Sequence, residues 1–397
     1  MSYQAIRPAE FPWFRYDGYT FSLGLARTLP DGRTEAVLSG HSASEYDPEA
    51  GRIVVKGGMK DQVRTAYAKI AAILGAVGLG FADVTRIVEN FSAAGLADYV
   101  DAEAVRREVF GEHLPPASTV VVDALLRRDA RVEIEVRAVT RGGGATPIAD
   151  PILRVSPEGE VYVPTALPLG PSGEKPVDQY RRCVENAAGW LEKAGLGLGA
   201  VVAVRETVSA DVLPGEVDEM RRLRRELLGP DGLPPASSTV VVAGLGGHAQ
   251  VTLDVVASVH APRAVFPDGW GHLREMGWTP AIRAGDMLFL SGFDGRDPAT
   301  GEAAPRDDVV AQAESAYRAV LTVLAAEGLG PEALCETVEY VTTAGLPAYR
   351  GVAGVRERLL RGDVDRDPVW PASTGLVCAE LPRPGARFLV LPTAVAG

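Results

Sequence analysis

LPPASTVVV occupies Leu114–Val122, LPPASSTVVV returns at Leu233–Val242, and WPASTGLVC follows at Trp370–Cys378. A Pro-Ala-Ser phrase running into β-branched residues reads as a turn feeding a strand. Working outward from each copy shows a longer repeat, the first thing to seek in a chain of this length. Upstream lie DQVRTAYAKIAAILGAVGLG (Asp61–Gly80), DQYRRCVENAAGWLEKAGLG (Asp178–Gly197) and AQAESAYRAVLTVLAAEGLG (Ala311–Gly330), each with Gln second and Gly-Leu-Gly last. Apolar residues recur with the helical period: Val63, Ala66, Tyr67, Ile70, Ile73, Leu74 and Val77 in the first, Tyr180, Cys183, Val184, Ala187, Trp190, Leu191 and Ala194 in the second. The third copy uses Ala313, Ala316, Tyr317, Val320, Val323 and Leu324. The pattern predicts an amphipathic helix, and the closing glycine suits a left-handed C-cap.

Each unit continues alike. A β-rich stretch (VTRIVENFS, VVAVRETVS, ETVEYVTTA) precedes an arginine-rich helix containing RREVFG, RRELLG or RERLLRG, and then the Pro-Ala-Ser phrase. An exit strand closes the unit: ARVEIEVRAV, AQVTLDVVAS or ARFLVLPTAV. Two strands precede the first helix, clearest in AIRAGDMLFLSGFDGRDPATGEA. The order is β-β-α-β-α-β-β, about 120 residues per unit, which predicts an α+β fold with helices on one face of a mixed sheet. The expected domains are 1–140, 141–262 and 263–397, the middle one degenerate where VYVPTALPLGPSGEKP stands in place of the Ser-Gly motif.

The 397 residues carry a formal charge of −12 and three scattered cysteines. That balance argues against a nucleic-acid surface, and the cysteines are too few for a disulfide framework or zinc site. The N-terminus lacks a signal-peptide pattern and no stretch is apolar enough to span a membrane, so a cytoplasmic protein is expected. No phosphate loop, nucleotide fingerprint or metal motif occurs, and no cofactor is expected.

Taken in order, the entry motif IRAGDMLFLSGFDGRDPATGE, the Gln-bearing helix, PASST and ARVEIEV resemble the Rid (YjgF) family across nearly the whole chain, as three tandem copies. The resemblance implies chorismate-mutase-like domains and clefts between neighbouring units. Three copies in one chain would then form an intramolecular pseudo-trimer, as a monomer or a dimer of such units, with a small-molecule substrate and neither nucleic acid nor membrane as partner. In the family, an Arg before the Ser of the phrase grips a substrate carboxylate. This chain has Ala117, Ser237 and, depending on a one-residue shift, Ala372 or Ser373 at that place, so any anchor must come from elsewhere, with Arg283 and Arg387 as candidates. The family's water-positioning carboxylate matches Glu133, whose counterparts are Thr252 and Leu389. Glu135 shares its strand face and is the rival.

Other cleft positions carry over as substrate-binding residues: the first-strand aromatics Tyr19 and Trp278, the Ser-Gly serines Ser39 and Ser291, Phe293, and Thr119 and Thr374 of the Pro-Ala-Ser phrases. His41, after the first Ser-Gly, is expected as a proton-transfer group titrating near working pH. Cys378, four residues beyond Thr374, would share its face and could be a cleft nucleophile or a buried thiol. Trp270, Trp278, Phe289, Phe293 and Trp370 would line a pocket for a conjugated ligand or belong to the core. Three functions follow: a Rid-type enzyme with altered acid–base chemistry (isomerisation, cyclisation or dehydration of a reactive carbonyl, imine or enamine in specialised metabolism), an enamine or imine deaminase with a substitute anchor, or a non-catalytic binding or scaffold protein. The family's endoribonuclease label gains nothing from the acidic charge.

Overall fold

The structure, a computed structural model, describes residues 3–16, 18–140, 146–147, 153–156, 158–228, 234–362 and 368–396. Gly229 and Leu233 of the repeated phrases, and residues 141–145 beside the first expected boundary, lie outside the described residues. The first unit runs β1 (Gln4–Ala5), β2 (Gly24–Thr28), β3 (Thr34–Leu38), β4 (His41–Ser42), β5 (Ser44–Asp47), β6 (Arg52–Val55), α1 (Met59–Gly75), β7 (Val84–Ser92), α2 (Ala93–Leu96), α3 (Tyr99–Phe110), β8 (Ala117–Val122), β9 (Ala124–Leu125) and β10 (Val132–Val139). The second has β11 (Thr146–Pro147), β12 (Arg154–Val155), β13 (Glu160–Tyr162), α4 (Pro176–Lys193), β14 (Val201–Ser209), α5 (Pro214–Leu227), β15 (Ala236–Val242) and β16 (Val251–Ser258). The third has β17 (Arg263–Val265), α6 (His272–Glu275), β18 (Ala281–Ala284), β19 (Met287–Leu290), α7 (Val309–Ala326), β20 (Leu334–Thr342), α8 (Val352–Leu360), β21 (Ala372–Cys378) and β22 (Phe388–Val395).

One strand order occurs three times: β1-β2-β3-β10-β7-β8, β11-β12-β13-β16-β14-β15 and β17-β18-β19-β22-β20-β21. In each the exit strand sits centrally and antiparallel to its neighbours, and only the strand carrying the Pro-Ala-Ser phrase is parallel to its partner. The helices α1, α4 and α7 press their predicted stripes onto one sheet face, with Val77, Trp190 and Ala194 only partly covered. Gly78, Gly195 and Gly328, the first glycines of the Gly-Leu-Gly signatures, have φ of 76°, 71° and 72°. That left-handed backbone ends each helix where a side chain would be strained.

The repeated glutamine is a clamp. The backbone N–H of Arg131 donates to Gln62 (2.8 Å), that of Gln250 to Gln179 (2.8 Å) and that of Arg387 to Gln312 (2.6 Å). Each amide group also donates to carbonyls of the turn before the exit strand, such as Asp129, His248 and Gly385. The arginine-rich helices supply one cation each to a buried carboxylate: Arg106 pairs with Glu89, Arg224 with Glu206 and Arg356 with Glu339. Each of those carboxylates also accepts from a tyrosine of the facing helix, Tyr67, Tyr180 or Tyr317.

The sheet faces away from the helices are covered by one another. Leu25 and Val37, Val202 and Val256, and Ile282, Met287 and Phe289 share one apolar cluster drawn from all three units. This explains why β10, β16 and β20 are buried at every residue, as expected of strands covered on both faces. The ends of the Pro-Ala-Ser strands also meet. Asp123 N–H donates to Val377 (3.0 Å), Ala379 N–H to Val241 (3.0 Å), and Ala243 N–H to the Asp123 carboxylate (2.8 Å). β9 of the first unit extends the third sheet by pairing with β21, covering an open edge. Among the described residues no helix is long and apolar enough to cross a membrane.

Candidate functional site: three unlike clefts

The Ser-Gly motif meets the Pro-Ala-Ser phrase of a neighbouring unit. Between the first and third units, Ser39 Oγ accepts from Ser373 N–H (2.8 Å) and donates to the Ser22 carbonyl (2.5 Å), while Gly40 N–H donates to Thr374 Oγ1 (3.0 Å). Between the third and second, Ser291 Oγ accepts from Ser237 N–H (2.8 Å) and donates to the Thr279 carbonyl (2.6 Å). Between the second and first, Thr165 Oγ1 stands in, accepting from Thr119 N–H (2.8 Å) and donating to its carbonyl (3.1 Å). Ser39, Ser291 and Thr119, expected as substrate contacts, therefore sit in clamps between units. The serine hydroxyls have both a donor and an acceptor supplied by protein.

The motif glycine marks the closest approach. A Cβ on Gly40 would strike the Glu133 carboxylate and come within 2.8 Å of Thr374 Cγ2. At Gly292 the same construction meets Leu389 Cδ1 (2.9 Å) and Ser238 Cβ (3.0 Å). Glu133 and Leu389 thus occupy matching places in unlike clefts.

Glu133 lies in β10 opposite Asn90 and Ser42 and is 8% exposed. Burial, then the neighbouring Glu135, raise its carboxyl to about 8 against the pull of Lys69 and Arg127. Among the described residues nothing hydrogen-bonds to this carboxylate, so it has capacity for water or a ligand. Glu135 points into a different environment. It accepts from Asn90 (2.7 Å) and lines a cavity of about 90 Å³ between the sheets with Arg86, Arg137, Arg205, Asp254 and Glu336.

Lys69 was not foreseen. It is wholly buried in α1, donating to the carbonyls of Ser42 (2.7 Å) and Ser44, with Nζ 5.0 Å from the Phe14 ring centre. Burial lowers its ammonium to about 7 despite Glu133. The signal was present: Lys69 is the one charged residue on the α1 stripe, where the third copy has Ala319.

His41 corrects an expectation. It lies in β4, fully covered, with Nε2 3.0 Å from the Leu23 carbonyl. Burial and the Lys69 charge lower it to about 3, so the imidazole is neutral at working pH and its outer nitrogen is engaged. Cys378 shares the interior with Val240, Tyr340 and Leu376, and burial pushes its thiol up to about 12, so it has the character of a core thiol rather than a nucleophile. Of the two anchor candidates, Arg283 pairs with Glu327 (3.0 Å) and Arg387 with Asp307 (2.6 Å).

The aromatic set divides. Trp270 and Trp370 belong to the third core and Phe289 to the shared cluster. Trp278 and Phe293, edge to face at 5.6 Å, border a cavity of about 460 Å³ between the second and third units. Tyr19 instead packs against Phe21 in a tilted pair (5.0 Å) and edge to face against Phe14 (6.3 Å) in the N-terminal segment. Among the described residues, no three His, Cys, Asp or Glu side chains gather as a metal site.

Helices on one face of a repeated mixed sheet, with clefts where a Ser-Gly turn meets a neighbour's Pro-Ala-Ser strand, define a Rid-like class of protein. The model of the family described as endoribonuclease L-PSP matches residues 33–140 and 273–395, more than half of the chain. The chain belongs to that family. A RutC family protein of Pyrococcus horikoshii is 37% identical over 92 residues, covering 23% of this chain and 70% of that protein. Among solved structures, a putative endoribonuclease of Thermotoga maritima is 26% identical over 34% of this chain and 98% of its own, with a TM-score of 0.28. The YjgF gene product of E. coli is 26% identical over 35% and 99%, also with a TM-score of 0.28.

Proposed function

We propose that the chain is a Rid-superfamily enzyme of altered chemistry, moving a proton on a reactive carbonyl, imine or enamine so that it isomerises, cyclises or loses water. Glu133 is the proton acceptor, in the cleft between the first and third units. The observation that carries this is a cleft carboxyl without a hydrogen-bond partner among the described residues, raised to about 8, where base strength suits exchange near neutral pH. No guanidinium occupies the family's anchoring place in the Pro-Ala-Ser phrases, which disfavours the family's carboxylate-gripping deamination. The test couples the protein to a dehydratase that generates 2-aminoacrylate and, in parallel, offers it cyclic imines and enones. No acceleration of ammonia release, with turnover in the second panel, is expected. Clear acceleration of ammonia release would establish the deaminase reading instead.

Assembly belongs to the same proposal. The units 1–140, 141–262 and 263–397 are read as three family copies closed into an intramolecular pseudo-trimer, acting in the cytoplasm. The shared apolar cluster and the ring of contacts joining Asp123, Val241 and Val377 support this. Light scattering should report 41.9 kDa, or twice that. A trimer of chains would count against it, because closure within the chain already covers the faces a trimer needs.

A further inference from the structure

We propose that Lys69 is a positioning residue for Glu133: from α1 it fixes the short strand that faces the carboxylate and sets a buried cation near it. The inference rests on the reading of Glu133 as the proton acceptor. Its first support is geometric. The Lys69 ammonium donates to the carbonyls of Ser42 (2.7 Å) and Ser44 and lies 3.3 Å from the Ser44 hydroxyl, with the Phe14 ring beneath it. Ser42 stands directly opposite Glu133 where β4 pairs with β10. Gly40, just before β4, is where a Cβ would strike the Glu133 carboxylate. One side chain therefore ties α1 to the backbone that walls this carboxyl.

The second support is internal to the chain. Counted from the start of the repeated helix motif, Lys69 matches Asn186 and Ala319, while Glu133 matches Thr252 and Leu389. Lysine and carboxylate occur together in the first unit, and neither occurs at these places in the other two. A buried ammonium is costly to desolvate, so packing alone gives no reason for lysine where the third unit buries alanine. The charges around the pair are mixed. Glu135 on β10 opposes ionisation of Glu133, and Arg127, in the turn before β10, favours it. Lys69 faces Glu133, Glu45 of β5 and Arg127. On β4, burial and then the Lys69 charge keep His41 neutral. Tyr349 of the third unit, whose hydroxyl donates to Glu339, also faces the Glu133 charge. Burial raises Glu133 to about 8 and lowers Lys69 to about 7, so the two titrate over neighbouring ranges and each favours the charged form of the other.

The test is an NMR titration of the full chain, isotope-labelled at glutamate carboxyl and lysine Cε carbons. The two signals are identified by their loss in Glu133→Gln and Lys69→Gln. Lys69→Gln keeps donors for the Ser42 and Ser44 carbonyls without the charge, and it should move the Glu133 step up by about one unit. Glu133→Gln should move the Lys69 step down by the same amount, because coupling between two sites is reciprocal. This second arm decides the matter even where Lys69→Gln folds poorly. On the cyclic imines and enones, turnover by Lys69→Gln near neutral pH should fall about ten-fold, as less of the carboxyl is ionised there. Steps that stay in place in both variants would overturn the proposal. So would lost turnover in Lys69→Gln with the Glu133 step unmoved, the mark of a lysine that only holds the fold. Coupled steps together with full turnover in Glu133→Gln would instead overturn the reading of Glu133 as the base, so the two failures are distinguishable.

Discussion

Glu133→Gln is expected to lower turnover by roughly two to four orders of magnitude, the usual worth of a positioned base. Because the wild-type carboxyl titrates near 8, kcat/KM should rise with pH and level off above that value, and the variant should lose the rise. Stability should move the other way. A carboxyl raised by folding keeps its proton between about 4.5 and about 8, where the unfolded chain has released it. Wild-type stability therefore falls across that window, and Gln removes this contribution to the fall. At pH 8 the variant should be less active and at least as stable. Glu135→Gln provides the comparison: its carboxylate is already bound by Asn90 and faces the cavity between sheets, so turnover should change little. A larger loss in Glu135→Gln would exchange the roles, and near wild-type activity in both would end the assignment.

The largest expected effect on stability is at Arg137. Its guanidinium, on β10, pairs with Glu336 of the third unit (2.8 Å) and Glu160 of the second (3.5 Å), all of them buried. Burial pushes the Glu336 carboxyl up, but Arg137 and then Arg86 hold it below the usual carboxylate range. Arg137→Ala strands two carboxylates in the interior, and breaking a buried pair this way costs about 3–5 kcal/mol. Urea unfolding at pH 7 should show a midpoint shift of that size. The transition should also broaden or split, because the lost cation joins three units. A loss below about 1 kcal/mol would mean that the network carries little of the association.

Much of the fold is legible in the sequence because its signals are local. The helix stripe, the Gly-Leu-Gly stop and the glutamine two residues into the helix motif recur at fixed spacing, and each answers to a contact within its own unit. The sites are less legible because they form between units. Nothing near Ser237 in the chain says that Arg296 will border the same cavity, and nothing near Leu125 says that β9 will join a sheet ending almost 270 residues later. His41 was misread for a related reason: the residue after a Ser-Gly turn looks exposed until β4 pairs with β10 and Lys69 comes in behind it. Lys69 went unread although it puts a charge on an apolar stripe, because its acceptors at Ser42 and Ser44 lie on other elements.

The clamps also bear on which changes each repeated unit can tolerate. Every unit serves two neighbours, offering its entry turn to one and its Pro-Ala-Ser strand to the other, so no copy is free to decay as a spare. A lesion in an entry turn can be repaired by any hydroxyl of similar reach, as Thr165 does in the middle unit for the missing Ser-Gly. The receiving strand must still present its backbone in register, and that half of the joint allows fewer spellings. The same short phrase is therefore legible three times in a chain whose entry motifs have diverged.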